Sequence, residues 1–217
     1  MNSTEQIAAN VAKVQERISS AARRVGREPA EIQLVAVTKK RSLDELADVV
    51  AVGVTDLGEN RASELADKAS QTSTVIPSAI RWHMIGQCQT NKVSHIAQYV
   101  SLWQSVDRLA LINAIARHAP GARILVQVDT SGDPNRGGAA IGHVPAVIEE
   151  ARTQGLDVCG LMAIAPLAED PRECFSTVAA LAKRLSLPEC SIGMSDDFEI
   201  AIECGATMVR VGSSIFS

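Results

Sequence analysis

The sequence predicts a single (β/α)8 barrel with one extra helix at its N-terminus, and three observations lead there. Apolar runs recur eight times along 217 residues. Most are followed by a stretch of helical periodicity, and no linker rich in Pro, Gly or Ser divides the chain. The expectation is therefore one barrel domain over residues 1–217. A doubly wound open sheet uses the same alternation, and counting strands does not separate the two.

The elements follow in order. Ile7, Val11, Val14 and Ile18 recur at helical spacing, which predicts an amphipathic N-terminal helix. Strands are expected near residues 32–38, 53–57, 80–85, 101–106, 122–129, 156–162, 190–193 and 207–211. Between the first two, SLDELADVVAVG places Leu43, Leu46, Val49 and Val50 on one stripe. It opens with Ser42 and Glu45 in capping-box spacing, each able to satisfy an orphan amide of the first turn. Asp107 before RLALINAIARHA predicts a similar helix start, and Asn91-Lys92 begins another helix. The longest polar loop, TSGDPNRGG at 130–138, sits inside one β-to-α connection. As a flap over the barrel mouth it would bring Arg136 to an anionic ligand; as a solvated loop it would not.

Composition narrows the function classes. Hydrophobic residues make up 46 % and charged residues 21 %, as in ordinary globular proteins. A formal charge of −4 with no basic block argues against a nucleic-acid or membrane-surface partner. No segment reads as a signal peptide or a membrane span. The five cysteines, Cys88, Cys159, Cys174, Cys190 and Cys204, are odd in number and lack any C-x-x-C pair. That pattern fits reduced thiols in a cytoplasmic protein better than a disulfide framework or a zinc site.

Chemistry in such a barrel gathers at the C-terminal ends of the strands. Strand one ends in Thr38-Lys39-Lys40, strand two in LGEN, and strand three carries Trp82-His83. The last two strands lead into Gly193-Met194-Ser195 and Gly212-Ser213-Ser214, small residues and hydroxyls where barrels often hold phosphate. Alternatively Ser195 caps the helix beginning at Asp196-Asp197 and Gly212 only makes a turn. Alternation puts Lys39 on one face with Val35 and Val37, and Lys40 on the other. A desolvated lysine is a nucleophile toward carbonyls; the competing reading pairs it with a carboxylate such as Glu59. Arg210, flanked by Val209 and Val211, can hold a phosphate, donate to a ring nitrogen or form a buried ion pair. His83 beside Trp82 reads as a hydrogen-bonded core residue rather than a general base.

The stretches LVAVTK (34–39), LGEN (57–60), WHMIGQCQTNK (82–92), SVD (105–107), GLMAIAP (160–166) and GMSDDFEIAIECGATMVRVGSSIF (193–216) span nearly the whole chain. In this order they resemble the pyridoxal phosphate homeostasis proteins, whose fold is the alanine-racemase-type barrel without the racemase's second, β-rich domain. The resemblance implies that Lys39 forms a Schiff base with pyridoxal 5′-phosphate and that Arg210 faces the pyridine nitrogen. It implies that Ser195, Gly212 and Ser213 cradle the phosphate, and that Asn60, His83 and Met194 line the pocket. An arginine at the ring nitrogen weakens the cofactor as an electron sink, which suits holding it better than transamination. The expected role is cofactor homeostasis by a monomer, with effects on amino-acid and keto-acid balance and with apo-enzymes as possible acceptors. The alternative is a weak amino-acid racemase, although the chain's one tyrosine, Tyr99, falls in a mid-barrel helix region. A class I aldolase shares the barrel but leaves Arg210 unexplained. The chain departs from the family at Gln87-Cys88, where His-Leu is common, and at Arg136, where lysine is common. The first departure calls into question a polar role for that position; the second removes an amine and keeps its charge.

Overall fold

The run QLVAV forms the first strand, β1 (Gln33–Val37), because β-branched and aliphatic residues suit a strand buried on both faces. The computed structural model describes residues 3–75, 79–131, 137–166 and 170–217. The further strands among these are β2 (Asp56–Glu59), β3 (Arg81–Met84), β4 (Val100–Val106), β5 (Arg123–Asp129), β6 (Ala139–Ala140), β7 (Asp157–Met162), β8 (Glu189–Ser191) and β9 (Met208–Val211). All pairings are parallel; β1 pairs with both β2 and β9, and β4 pairs with β5. Eight strands thus close into a ring, and the open-sheet alternative is excluded. β6 lies outside the ring beside the end of β5, an element the sequence did not announce.

The helices are α1 (Ser3–Arg24), α2 (Leu43–Ala51), α3 (Ala62–Val75), α4 (Val93–Ile96), α5 (Leu109–His118), α6 (Val144–Thr153), α7 (Pro171–Arg184), α8 (Phe198–Glu203) and α9 (Ser213–Phe216). α1 is the extra helix. It packs on α2, α8 and α9 and covers the seam where the last strand meets the first. Asn10 fastens it there, its Nδ2 donating to the carbonyls of Ile215 and Ser217 at 3.0 and 2.9 Å.

Two sequence expectations shift for identifiable reasons. Strand two starts at Asp56 rather than residue 53, because Gly53 and Val54 complete the end of α2. The Gly53 amide donates to Val50 and that of Val54 to Val49, with Gly53 at φ 91°, a left-handed cap that glycine adopts without strain. Asp107 does not cap α5, whose N-cap is Arg108 without a side-chain bond. The capping box of Ser42 and Glu45 forms as expected.

The core has two compartments. The large one, between strands and helices, holds Ala36, Leu57, Trp103 and Val126. The small one is the barrel lumen, where Val35, Leu102, Leu125, Cys159, Met162 and Met208 meet. This division settles a point periodicity leaves open: Val35 faces the lumen and Ala36 faces the helices. Val37 follows Val35 on the inner side, toward the mouth, and the strand ends there, just before the turn that carries Lys39.

Candidate functional site at the barrel mouth

Lys39 sits in the turn after β1 and is exposed, whereas the preceding Thr38 is buried. The turn is gripped on both sides by α3. Lys68 donates from Nζ to the Thr38 carbonyl at 2.6 Å, to Glu59 Oε1 at 2.7 Å and to Glu64 Oε1 at 2.8 Å. Thr38 Oγ1 donates to the same Glu59 oxygen at 2.6 Å, and Glu64 accepts the backbone N–H of Lys40. Lys40 adopts φ 61°, an uncommon conformation for a non-glycine residue. Glu59 is therefore taken by Lys68 and does not pair with Lys39, which has no ion pair among the described residues. Burial pushes the Glu59 carboxyl up, against the hydrogen bonds of Lys68 and Thr38.

Below the mouth, the lumen carries a polar row. Asp56 accepts both Arg81 Nε, at 2.7 Å, and Arg81 Nη2, and it faces His83 Nε2 at 3.0 Å. His83 Nδ1 lies 2.8 Å from Gln104 Nε2. Ser191 Oγ donates to Gln104 Oε1 at 2.7 Å. Arg210 Nη1 donates to the Ser191 hydroxyl and carbonyl, each at 2.7 Å, and Nη2 donates to the Ala163 carbonyl at 2.9 Å. Arg210 is 4 % exposed. Burial draws its guanidinium down to about 10, so it stays charged at neutral pH. It is not the buried ion pair that the sequence allowed, and three of its five N–H groups are used. The remaining two have no protein acceptor among the described residues.

Asp56 makes a pH prediction. Burial pushes its carboxyl up, but the hydrogen bonds from His83 and Arg81 outweigh this and hold it at about 2, against 3.8 in the free residue. A depressed folded-state value contributes stability above the unfolded value and loses it as pH falls through the folded one. The group should therefore contribute about 2 kcal/mol at neutral pH, lost between roughly pH 4 and pH 2. Urea titrations at stepped pH should show that loss, and Asp56→Asn should remove the step.

The loops after β8 and β9 are tied together. Ser195 Oγ accepts the Gly212 amide at 3.1 Å, so Ser195 bridges two loops instead of capping a helix. α8 starts later, after Asp197, whose carboxylate accepts the Met194 amide. Ser195 is buried, Met194 and Gly212 are half-buried, and Ser213 is exposed. Gly212 lies against Val37 of β1, which places this loop pair next to Lys39. Asn60 is exposed at the end of β2. His83 is 2 % exposed and held by hydrogen bonds, the core residue expected from its position beside Trp82.

Gln87 corrects the doubt about its position. Its Nε2 donates to Asp107 Oδ2 at 3.0 Å and Gln127 Oε1 at 2.8 Å, and its Oε1 accepts Arg108 Nη1 at 2.9 Å. Asp107, freed from capping, also accepts the Gly138 amide at 3.0 Å. The polar role is thus retained because an amide, like an imidazole, offers both a donor and an acceptor. Cys88 beside it is buried, which pushes its thiol up to about 11. Arg136 lies outside the described residues. Sequence reasoning missed Asp56, Lys68, Gln104 and Ser191; glutamines at inner positions of the apolar runs LWQSV and LVQVD were the signal available.

The mouth thus presents an exposed amine, a buried guanidinium with spare donors and a hydroxyl-bridged pair of loops. The family model for the alanine racemase N-terminal domain matches residues 3–217. Its curated relatives include pyridoxal phosphate homeostasis proteins. That of Deinococcus radiodurans is 39 % identical over 207 residues, covering 92 % of this chain and 96 % of the relative. That of Pseudomonas aeruginosa is 36 % identical over 220 residues, covering 97 % and 94 %. The chain belongs to this family. Among solved structures, PipY of Synechococcus elongatus with bound PLP superposes with a TM-score of 0.81 at 27 % identity, covering 94 % of this chain and all (100 %) of PipY. Alanine racemase of Corynebacterium glutamicum shares the fold at a TM-score of 0.68 and 17 % identity, and this chain matches only 60 % of it. No helix among the described residues is long and apolar enough to cross a membrane.

Proposed function

We propose that this protein holds pyridoxal 5′-phosphate at the barrel mouth, as a Schiff base on Lys39, and serves its homeostasis in the cell. Effects on amino-acid and keto-acid balance would follow downstream. The observation that supports the reading is the state of Lys39. Its backbone neighbours Thr38 and Lys40 are clamped, and Lys68 occupies the nearby carboxylates, which leaves the exposed Lys39 without an ion pair among the described residues. The PipY structure with bound PLP supports the choice of cofactor.

The bound cofactor would supply an aldehyde that condenses with a primary amine, and a pyridine nitrogen able to accept a hydrogen bond. Arg210 retains two N–H donors for such an acceptor, and its buried charge disfavours protonation of that nitrogen. Ser195, whose hydroxyl accepts the Gly212 amide and keeps its own hydrogen to donate, lies with Gly212 and Ser213 next to β1, a setting suited to a phosphate. Asn60 and Met194 border the same opening, and His83 supports it from below. The protein acts as a cytoplasmic monomer, one barrel over residues 1–217, and passes the cofactor to apo-enzymes.

The second reading, a weak racemase, needs another base facing the cofactor. Tyr99 precedes β4, at the end of the barrel opposite the mouth, and packs on the outer core. That placement favours holding over racemisation. Borohydride reduction of the loaded protein followed by peptide mass mapping should find a pyridoxyl adduct on Lys39 and none in Lys39→Ala. An adduct confined to Lys40 or another lysine would overturn the assignment. Chiral analysis of amino acids incubated with the loaded protein tests the racemase reading.

A further inference from the structure

The polar row inside the barrel has a direction. Each link can donate the same way, from Arg210 to Ser191, from Ser191 to Gln104, from Gln104 to His83 and from His83 to Asp56. The sense of the chain depends on which end of the Gln104 amide is nitrogen, and two contacts decide it. Met208 Sδ lies 3.1 Å from Gln104 Nε2, a fit for an N–H donor and a poor one for a second acceptor. At the other end Ser191 Oγ, already accepting Arg210, needs an acceptor for its own hydrogen, which Gln104 Oε1 provides at 2.7 Å. With the amide so oriented, His83 must accept at Nδ1 and carry its proton on Nε2, facing Asp56. All five side chains are buried, between 0 % and 4 % exposed. A reversal at any link would leave a buried donor facing a donor or a buried acceptor facing an acceptor.

We propose that Asp56, His83, Gln104 and Ser191 are positioning residues for Arg210: the chain, anchored at the closed end of the barrel, fixes the plane and the free donors of the guanidinium at the open end. The reasoning is geometric. Among the described residues Arg210 has no carboxylate partner, and its only side-chain acceptor there is the Ser191 hydroxyl, whose orientation Gln104 sets. Gln104 in turn is turned by His83 and Met208, and His83 by an aspartate that Arg81 also grips. The inference rests on the proposed placement of the pyridine nitrogen at Arg210 and extends it to residues that never touch the cofactor.

A ligand pair separates positioning from mere packing: pyridoxal 5′-phosphate and its 1-deaza analogue, in which carbon replaces the ring nitrogen. Both retain the aldehyde for Lys39 and the phosphate; only the first can accept from Arg210. Dissociation constants for both are measured on the full chain, with Ser191→Ala and Gln104→Leu as variants. Ser191→Ala removes a single buried hydroxyl and serves as the gentler change should Gln104→Leu fold poorly. Each variant is expected to weaken pyridoxal phosphate about tenfold, in line with a misdirected bond to a charged donor, while the analogue changes less than about twofold. Equal weakening of both ligands, or no weakening of either, would overturn the proposal. The borohydride adduct on wild-type Lys39 is scored separately, so a failure of the cofactor reading is distinguished from a failure of this one.

Discussion

Lys68→Met is expected to destabilise the protein by about 3–5 kcal/mol at pH 8, the range found when one partner of a buried ion pair is removed. Glu59 is fully buried, at 0 % exposure, and its Oε2 already has no hydrogen-bond partner. Without Lys68, its charge would have only the Thr38 hydroxyl for compensation. Burial already raises this carboxyl, and losing the ammonium raises it further, so the variant should take up a proton there. A raised folded-state value means that the folded form binds the proton first. The variant's deficit should therefore shrink as pH is lowered from 8 toward 5, and the double variant Glu59→Gln, Lys68→Met should recover part of the loss. Denaturant titrations at several pH values measure all three, and a deficit independent of pH would show that removing Lys68 does not change the protonation of Glu59. Because Lys68 also holds the Thr38 carbonyl, the rate of borohydride-trapped adduct formation on Lys39 should fall in the same variant.

Gly193→Ala is expected to cost about 3 kcal/mol or more, combining a positive φ with overpacking against backbone. Gly193 sits at φ 90°, and a Cβ there would lie 2.5 Å from the Ala201 Cβ and 2.9 Å from the Phe198 Cα. Neither neighbour is the flexible end of a long side chain, so α8 itself would have to shift. Its carbonyl also accepts the Arg210 amide at 3.0 Å, which joins the β8 loop to β9. Thermal denaturation should show a markedly lower midpoint, and the remaining folded protein should bind pyridoxal phosphate more weakly, because Ser195 and Gly212 move with that loop. A near-neutral result would mean that the β8 loop is far more accommodating than its close packing indicates.

Much of this protein was legible without coordinates where one signal dominates locally. The eight apolar runs became eight barrel strands because a strand covered by helices on one face and by the lumen on the other is largely apolar, even where polar side chains interrupt its inner face. The box at Ser42 and Glu45 formed because all its partners lie within one helical turn. Strand two was misplaced because Gly53 and Val54 read equally well as strand or as the end of a helix. The motif stretches named the lysine, the arginine and the loops of the mouth, although motif spacing says nothing of what those side chains touch.

The chain's own order of residues determined the alternation of strands and helices, the family resemblance and the lysine at the end of the first strand. Closure of the barrel and the exposure of that lysine came from the structure. Only the closed tertiary structure decided which face of that strand looks inward, that Glu59 belongs to Lys68, and that Arg210 hangs from a row of polar side chains reaching back to Asp56. Of those contacts the longest step in the row, from Ser191 to Gln104, joins residues 87 positions apart. Periodicity cannot see them, because a buried hydrogen bond depends on which strands are neighbours and not on what precedes a residue in sequence.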